Sequence, residues 1–205
     1  MCLTLLVNEL FSSLVGIAIF GFVTSVTPGP NNTYLLTSGM NFGVRRSLAY
    51  VNGIMVGLTL MFAAMYLGVG SLFRAFPLIQ EVLKYVGFGY ILYMAYSIVS
   101  SSFVHKHEQI ERAGFFRATA FQLINPKAWI VLISMYATFI GDSTDLTKVG
   151  LVLAVFLVAT YPGAVIWAAF GELMAGWLSK PTYRRVFNVS AAILLVLSMV
   201  PALFL

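Results

Sequence analysis

The sequence predicts an all-α integral membrane protein with six transmembrane helices in a 3+3 inverted repeat, whose first and fourth helices are broken. Three observations support this fold class: the composition, the lengths of the charge-free stretches, and two interruptions rich in proline and asparagine. Of the 205 residues, 60% are hydrophobic and 9% are charged. A soluble domain carries about 25% charged residues, so this chain has too little polar surface to coat a water-soluble globule.

Six apolar stretches are long enough to cross a bilayer, whose hydrocarbon core needs about 20 apolar residues of helix. They cover residues 10–44, 47–73, 85–104, 118–141, 149–171 and 186–205, and only the fourth contains a charge, Lys127. We expect a single membrane domain over 1–205, with one three-helix repeat over 1–104 and a second over 113–205. No basic residue precedes Arg45, although a cleaved signal would need one, so we interpret the first stretch as a retained span.

The loop charges predict the orientation in the membrane. Alternate loops hold eight basic residues, whereas the loops on the opposite side hold three, namely Arg74, Lys84 and Lys148. Because basic residues collect in cytoplasmic loops, the side with eight is predicted to be cytoplasmic and both termini to be outside. We expect the inner membrane of a bacterium. The eight residues are Arg45, Arg46, Lys106, Arg112, Arg117, Lys180, Arg184 and Arg185.

Several function classes are disfavoured by what the spans lack. The excess of five positive charges belongs to membrane loops and does not indicate a nucleic-acid partner. A hard metal ion wants several carboxylates, and no Asp or Glu lies deep in a span, which disfavours a metal-ion exporter. His105 and His107 lie in the hydrophilic stretch 105–117, which we interpret as a solvated loop or short interfacial helix; a metal site there is the weaker alternative.

An enzyme is disfavoured for a related reason. An intramembrane enzyme would need a Ser/His, paired Asp or His/Glu constellation within the spans, and both histidines lie outside them. The single cysteine, Cys2, excludes an intramolecular disulfide and a cysteine-based metal site. We therefore expect neither an enzyme nor a cofactor. A transporter of another small solute and a non-transporting scaffold subunit stay as alternatives.

Two interruptions carry the polar chemistry of the apolar stretches. The first is "SVTPGPNN" at 25–32 and the second is "INPK" at 124–127, and each is followed by two further spans. If the chain consists of two halves of three spans, the second half enters the membrane from the opposite side. Secondary transporters built in this way bind their substrates at broken helices near the bilayer midplane.

The prolines predict exposed backbone groups at both interruptions. Proline lacks an N–H and clashes with the carbonyl four residues earlier, and an unpaired backbone group facing lipid costs several kcal/mol. The interruptions must therefore face protein or a wet cavity. The carbonyls expected to lose their helical partners are those of Thr24, Val26 and Gln122.

Helix ends of both polarities suit a zwitterion such as a free amino acid. Its carboxylate would lie at the N–H ends near Asn31, Asn32 and Lys127, and its ammonium on freed carbonyls and on oxygens of Ser25, Thr27 or Asn125. The alternative is that proline and asparagine only kink and cap the helices. Lys127 could bind the carboxylate, carry a proton, or extend towards the cytoplasmic headgroups.

Other polar residues of the spans are weaker candidates. Asn52, Tyr93 and Tyr161 are possible cavity-lining residues, with core packing as the alternative for Tyr161. Two glycine pairs with a spacing of four, Gly39 with Gly43 and Gly53 with Gly57, predict close helix packing. Such pairs are compatible with a homodimer and equally with packing inside one subunit.

The motifs "TPGPNN" at 27–32, "NGIMVGL" at 52–58 after Arg45 and Arg46, and "INPKAW" at 124–129 resemble the LysE/RhtB family of bacterial amino-acid exporters. "TPGPNN" is similar to the cysteine/O-acetylserine branch, and homoserine and threonine exporters carry near variants. The resemblance implies secondary active export of small neutral amino acids or their derivatives across the inner membrane, by proton antiport with alternating access. The partners it implies are such an amino acid, protons and the lipid bilayer. Carried over by motif, the substrate-binding residues would be Pro28, Gly29, Pro30, Asn31, Asn32, Asn125, Pro126 and Lys127.

Overall fold

The computed structural model describes residues 2–69, 110–141, 143–177 and 180–204, together with single residues between 78 and 99. Within these residues the chain is all-helical, as predicted, and contains no strand. The continuous described ranges form six α-helices, namely α1 (Cys2–Val26), α2 (Pro30–Ala64), α3 (Ile110–Ile124), α4 (Pro126–Phe139), α5 (Leu146–Met174) and α6 (Pro181–Phe204), and a π-helical turn (Met65–Val69) extends α2. Most of the predicted third span, 85–104, and both histidines lie outside the described residues.

The first two predicted spans meet at a kink and not at a loop. Helix α2 runs through the expected boundary, and only Gly43, with φ 77° and ψ 169°, departs from helical geometry. A positive φ of this size favours glycine because it has no Cβ. The kink leaves the Val44 N–H without a helical acceptor, and the Glu172 carboxylate accepts it at 2.7 Å.

The fourth predicted span also differs in its boundaries. Helix α3 begins at Ile110, inside the stretch expected to be a loop or a separate interfacial helix, and continues to Ile124. Residues 110–117 are therefore part of α3. One residue, Asn125, separates α3 from α4.

Helix α2 lies at the centre, packed against α3 and α5, while α1 packs against α5. Glycines permit the closest contacts, because a Cβ on Gly39 would collide with the backbone of Ala168, and one on Gly53 with the backbone of Phe115. The same holds at Gly57, where a Cβ would lie 2.5 Å from Gln122 Cγ. Gly39, Gly53 and Gly57 are thus used for packing within the chain, while Gly43 serves the kink.

Two contacts define the directions of α2 and α5 relative to each other. At one end Val44 meets Glu172, so the middle of α2 lies beside the carboxyl-terminal end of α5. At the other end the Tyr66 hydroxyl lies 3.4 Å from the carbonyl of Thr144, just before α5 begins. The second part of α2 and the whole of α5 therefore run antiparallel between these ends.

Candidate functional site

The two interruptions, almost 100 residues apart in sequence, meet in the interior. The Lys127 ammonium, on the first turn of α4, donates to the carbonyl of Thr27 at 2.6 Å and to that of Pro28 at 3.1 Å. Both carbonyls follow the last residue of α1. The side chain of one helix start thus binds the backbone at the other helix end.

Proline determines where α2 and α4 begin. Pro30 and Pro126 are the first residues of these helices, a position where the missing N–H is not needed. Gly29 joins α1 to α2 in a fully extended conformation, with φ 179° and ψ 178°. The chain therefore changes direction between 26 and 30 without a residue in the left-handed region.

Asn32 caps the end of α1 from the following helix. Its amide nitrogen donates to the carbonyls of Ser25 and Thr27, each at 2.7 Å. The Asn32 side chain is buried, with 6% of its surface exposed, and so is the Ser25 side chain beside it. One amide therefore binds two carbonyls at the end of α1, and neither is one of those expected to lose a helical partner to proline.

Asn125 caps α4 locally. Its side-chain oxygen accepts from the Lys127 backbone N–H at 3.1 Å, an N-cap arrangement. The expectation that Pro126 frees the carbonyl of Gln122 is wrong, because the Asn125 N–H donates to that carbonyl at 3.1 Å. The last turn of α3 tightens to make this bond. The next carbonyl, that of Leu123, accepts from the Trp129 indole at 2.8 Å.

Gln122 links the two interruptions through its side chain. Its amide forms a reciprocal pair with that of Asn31, in which each nitrogen donates to the other oxygen, at 3.0 and 3.1 Å. The side chain is fully buried, and its nitrogen also donates to the Ala118 carbonyl at 3.0 Å. The sequence predicts a role only for its carbonyl. An amide side chain in an apolar stretch, three residues before Asn125, is the feature that indicates a role for the side chain.

These groups surround a cavity of about 60 Å³, enough for several water molecules. One wall is polar and comes from both interruptions and from Thr160 of α5, and the other is apolar and comes from α2, α4 and α5. The polar wall contains Thr24, Ser25, Gly29, Pro30, Asn31, Asn32, Gln122, Asn125, Lys127 and Thr160; the apolar wall contains Ile54, Leu58, Ala128, Val131, Phe156 and Ala164.

Some candidate residues contribute in ways other than those expected. The hydroxyls of Ser25 and Thr27 donate back into α1, to the carbonyls of Phe22 and Val23, each at 2.7 Å. Pro28 supplies its carbonyl, and Pro126 is buried at the start of α4.

Three candidates lie apart from the cavity wall. The Tyr161 hydroxyl lies 3.3 Å from the Asn52 side-chain oxygen, so these two residues pair with each other. The Tyr93 side chain is 58% exposed. The structure therefore brings together the residues of the two interruptions, but not these three.

The sequence model of the family described as "LysE type translocator" matches residues 22–202. The chain belongs to the LysE family. It is 29% identical over 180 residues to the cysteine/O-acetylserine efflux protein of Salmonella typhimurium (strain LT2) and 28% identical to that of Escherichia coli (strain K12). Each alignment covers 86% of this chain and 90% of the relative. No solved structure is significantly similar to the chain.

Membership of the LysE family makes the chain a helical membrane translocator and not an enzyme. The composition of its site agrees with a translocator that binds by hydrogen bonds. The described wall contains no carboxylate, and no three metal-binding side chains come together among the described residues. The polar groups are amides, hydroxyls, backbone ends and the ammonium of Lys127.

Proposed function

We propose that this LysE-type translocator exports small neutral amino acids or their derivatives, with cysteine, O-acetylserine, threonine and homoserine as the candidates. The observation that supports this most is the shared cavity of the two interruptions, where helix ends of both polarities lie within one polar wall. The relatives described as cysteine/O-acetylserine efflux proteins support the same substrate class.

The substrate carboxylate lies at the start of α2 in this proposal. Pro30 has no N–H, and Gly29 offers no side-chain cap, so the first backbone donors of α2 belong to Asn31 and Asn32. The helix dipole adds partial positive charge at this point. The substrate ammonium lies towards the end of α1, where backbone carbonyls point into the same region.

The neutrality of the substrate follows from the charges of the wall. A cationic substrate would bring a second positive charge next to Lys127, with no described carboxylate in the wall to pair with it. Two like charges in a site of low dielectric repel strongly. Lysine should therefore be a poor substrate.

Helix lengths support a 3+3 inverted repeat with broken first and fourth spans. Helices α3 and α4 contain 15 and 14 residues, so each is about 20 Å long at 1.5 Å per residue and too short to cross the bilayer core alone. Together they make one span interrupted at Asn125. The first predicted span, 10–44, would correspond to it in the first half, interrupted at 27–29 between α1 and α2.

The proposed orientation has the basic loops in the cytoplasm of a bacterial inner membrane and both termini outside. The contact of Val44 with Glu172 supports it, because the Arg45–Arg46 pair and the end of α5 then lie on the same side. A carboxyl-terminal reporter active only in the cytoplasm would contradict the orientation. The glycine argument for a homodimer is weakened, because Gly39, Gly53 and Gly57 contact residues of the same chain.

Transport would alternate access to the cavity by rocking one half against the other, with protons moving in the opposite direction. The test is counterflow in proteoliposomes with labelled cysteine, O-acetylserine, threonine and homoserine, with and without an imposed proton gradient, and with lysine as the cationic control. We expect saturable uptake of at least one neutral compound, stimulated by the gradient. A folded protein that exchanges none of them would reject the substrate class.

Asn31→Ala and Asn41→Ala form a matched pair for this test. Both asparagines are on α2, but Asn31 lies in the cavity wall, whereas the Asn41 amide donates to the Thr37 carbonyl of its own helix. Asn31→Ala should lose counterflow and Asn41→Ala should keep it. Equal rates in the two variants would contradict the proposed site.

A further inference from the structure

The ammonium of Lys127 lies beside the carboxyl-terminal end of α1, a position that favours a cation. It donates to the carbonyls of Thr27 and Pro28 at 2.6 and 3.1 Å, just beyond the end of α1. This end of a helix carries partial negative charge. Among the described residues, no carboxylate forms an ion pair with Lys127, so backbone carbonyls are its partners.

We propose that the carbonyl pair of Thr27 and Pro28 is the binding site for the substrate's ammonium group, and that Lys127 occupies this site in the empty transporter as a tethered competitor. The inference rests on the proposed function, since it takes the substrate to be an amino acid. It adds the identity of the group that the substrate must displace.

Chemical equivalence is the basis of this assignment. The lysine side chain and a free amino acid end in the same primary ammonium, with three N–H donors and no acceptor. A site that binds one through two carbonyls will bind the other. It will not hold both, because two unit charges a few ångströms apart in a poorly solvated cavity repel each other strongly.

The side chain of Lys127 lies against the backbone of Gly29. The side chain passes close to Gly29, where a Cβ would lie 2.9 Å from both Cδ and Nζ of Lys127. The absence of a side chain at Gly29 therefore lets the flexible lysine stem lie against the backbone. When the substrate's ammonium takes the carbonyls, the displaced lysine can turn to the substrate's carboxylate.

This exchange uses one of the roles that the sequence left open for Lys127, binding of the carboxylate, and adds a second role in the empty state. In the empty state the ammonium satisfies the end of α1, and in the loaded state it pairs with the carboxylate. A purely structural role is the competing explanation, in which Lys127 only clamps α4 to α1. The two explanations differ in what removal of the ammonium does to the binding of a simple amine.

The test uses ethylamine, a primary ammonium without a carboxylate, as the probe. It is titrated into purified detergent-solubilised protein in which Phe replaces Trp167 and Trp177, and binding is followed by the fluorescence of Trp129, whose indole is bound beside the interruption. Tetramethylammonium, which has the charge but no N–H donor, is the control probe. The variants are Lys127→Met, Lys127→Arg and, as the matched control, Lys148→Met at an exposed lysine.

We expect Lys127→Met to bind ethylamine about tenfold or more tightly than the wild type, since hydrogen bonds to a charged group are among the strong ones. Lys127→Arg and Lys148→Met should behave as the wild type, and tetramethylammonium should not bind. Equal affinity of wild type and Lys127→Met for ethylamine would overturn the proposal.

A second variant, Lys127→Gln, is used if Lys127→Met does not fold. Its uncharged amide can still donate to the Thr27 carbonyl. The affinity of this variant for ethylamine should be several-fold higher than that of the wild type, and no rise would overturn the proposal. Counterflow distinguishes a failure of the proposed substrate class from a failure of the proposed lysine competitor. A gain in ethylamine binding without amino-acid counterflow by the wild type would reject the substrate class alone, and counterflow without that gain would reject the lysine competitor alone.

Discussion

The two interruptions satisfy their backbone groups in different ways. At 125 a single asparagine caps α4, and the last turn of α3 closes on itself. At 27–29 the end of α1 depends on groups from elsewhere, namely the Asn32 amide and the Lys127 ammonium. The donors at the second interruption are thus local, whereas those at the first come from α2 and α4. A ligand can replace a distant donor at the end of α1 more readily than a local one.

The variant with the largest expected effect removes the charge that completes the first interruption. Lys127→Met should abolish counterflow while membrane expression stays intact, because the substrate carboxylate loses its only cationic partner in the described wall. The measurement is initial-rate counterflow normalised to the amount of reconstituted protein. Near-normal transport by this variant would remove Lys127 from the site.

The two caps should differ when each is removed. Asn32→Ala removes two hydrogen bonds, one to the Ser25 carbonyl and one to the Thr27 carbonyl, which keeps Lys127 as a donor, and should lower the free energy of unfolding by about 2 kcal/mol, at roughly 1 kcal/mol for each bond. Asn125→Ala removes one local N-cap and should cost about 1 kcal/mol. Thermal unfolding of the detergent-solubilised variants provides the comparison; a larger loss for Asn125→Ala would reverse our ranking of the two interruptions.

The link between the interruptions is testable as a coupling energy. The reciprocal amide pair of Asn31 and Gln122 should give a coupling of about 1 kcal/mol in a double-mutant cycle, because the bonds are buried and lost together. The cycle uses Asn31→Ala, Gln122→Ala and the double variant, measured by thermal unfolding. Additive effects would mean that the pair does not hold the interruptions together.

The smallest effect is expected for the polar pair outside the cavity wall. Tyr161→Phe removes the hydroxyl that lies near the Asn52 side chain and leaves the wall unchanged. The rate of counterflow should stay within about twofold of the wild type, since a single exposed hydrogen bond contributes about 1 kcal/mol or less. A severe loss would place this pair on the transport path after all.

Much of the fold could be predicted from composition and proline. The near absence of charge predicts a helical membrane protein, and Pro30 and Pro126 mark the first residues of two helices because proline is favoured at the first helical position. The kink at Gly43 could not be predicted from the sequence. A glycine at the end of an apolar stretch and before an arginine pair is equally compatible with a loop, and the carboxylate that stabilises the kink is 128 residues away.

The region of the candidate site could be predicted from the sequence, but the contacts between its residues could not. The polar residues at both interruptions identify the region, since lipid would not tolerate them. Nothing in the sequence pairs Gln122 with Asn31, because a reciprocal amide contact across 91 residues depends on tertiary packing. For Lys127 the sequence left three roles open. That its ammonium binds the carbonyls of Thr27 and Pro28 could be seen only in the structure.

The central claim, that substrate binds where the two interruptions meet, is tested most directly by protection of a cysteine in the cavity wall. Ala128→Cys, in a Cys2→Ser background, places a thiol in the wall, and Thr144→Cys places one in the exposed stretch before α5 as the control. Labelling by a small thiol reagent is followed with and without O-acetylserine, which has no thiol of its own. We predict that O-acetylserine slows labelling at position 128 and not at 144, over the concentrations that saturate counterflow. Unchanged labelling at 128 in a protein that transports O-acetylserine would contradict the claim.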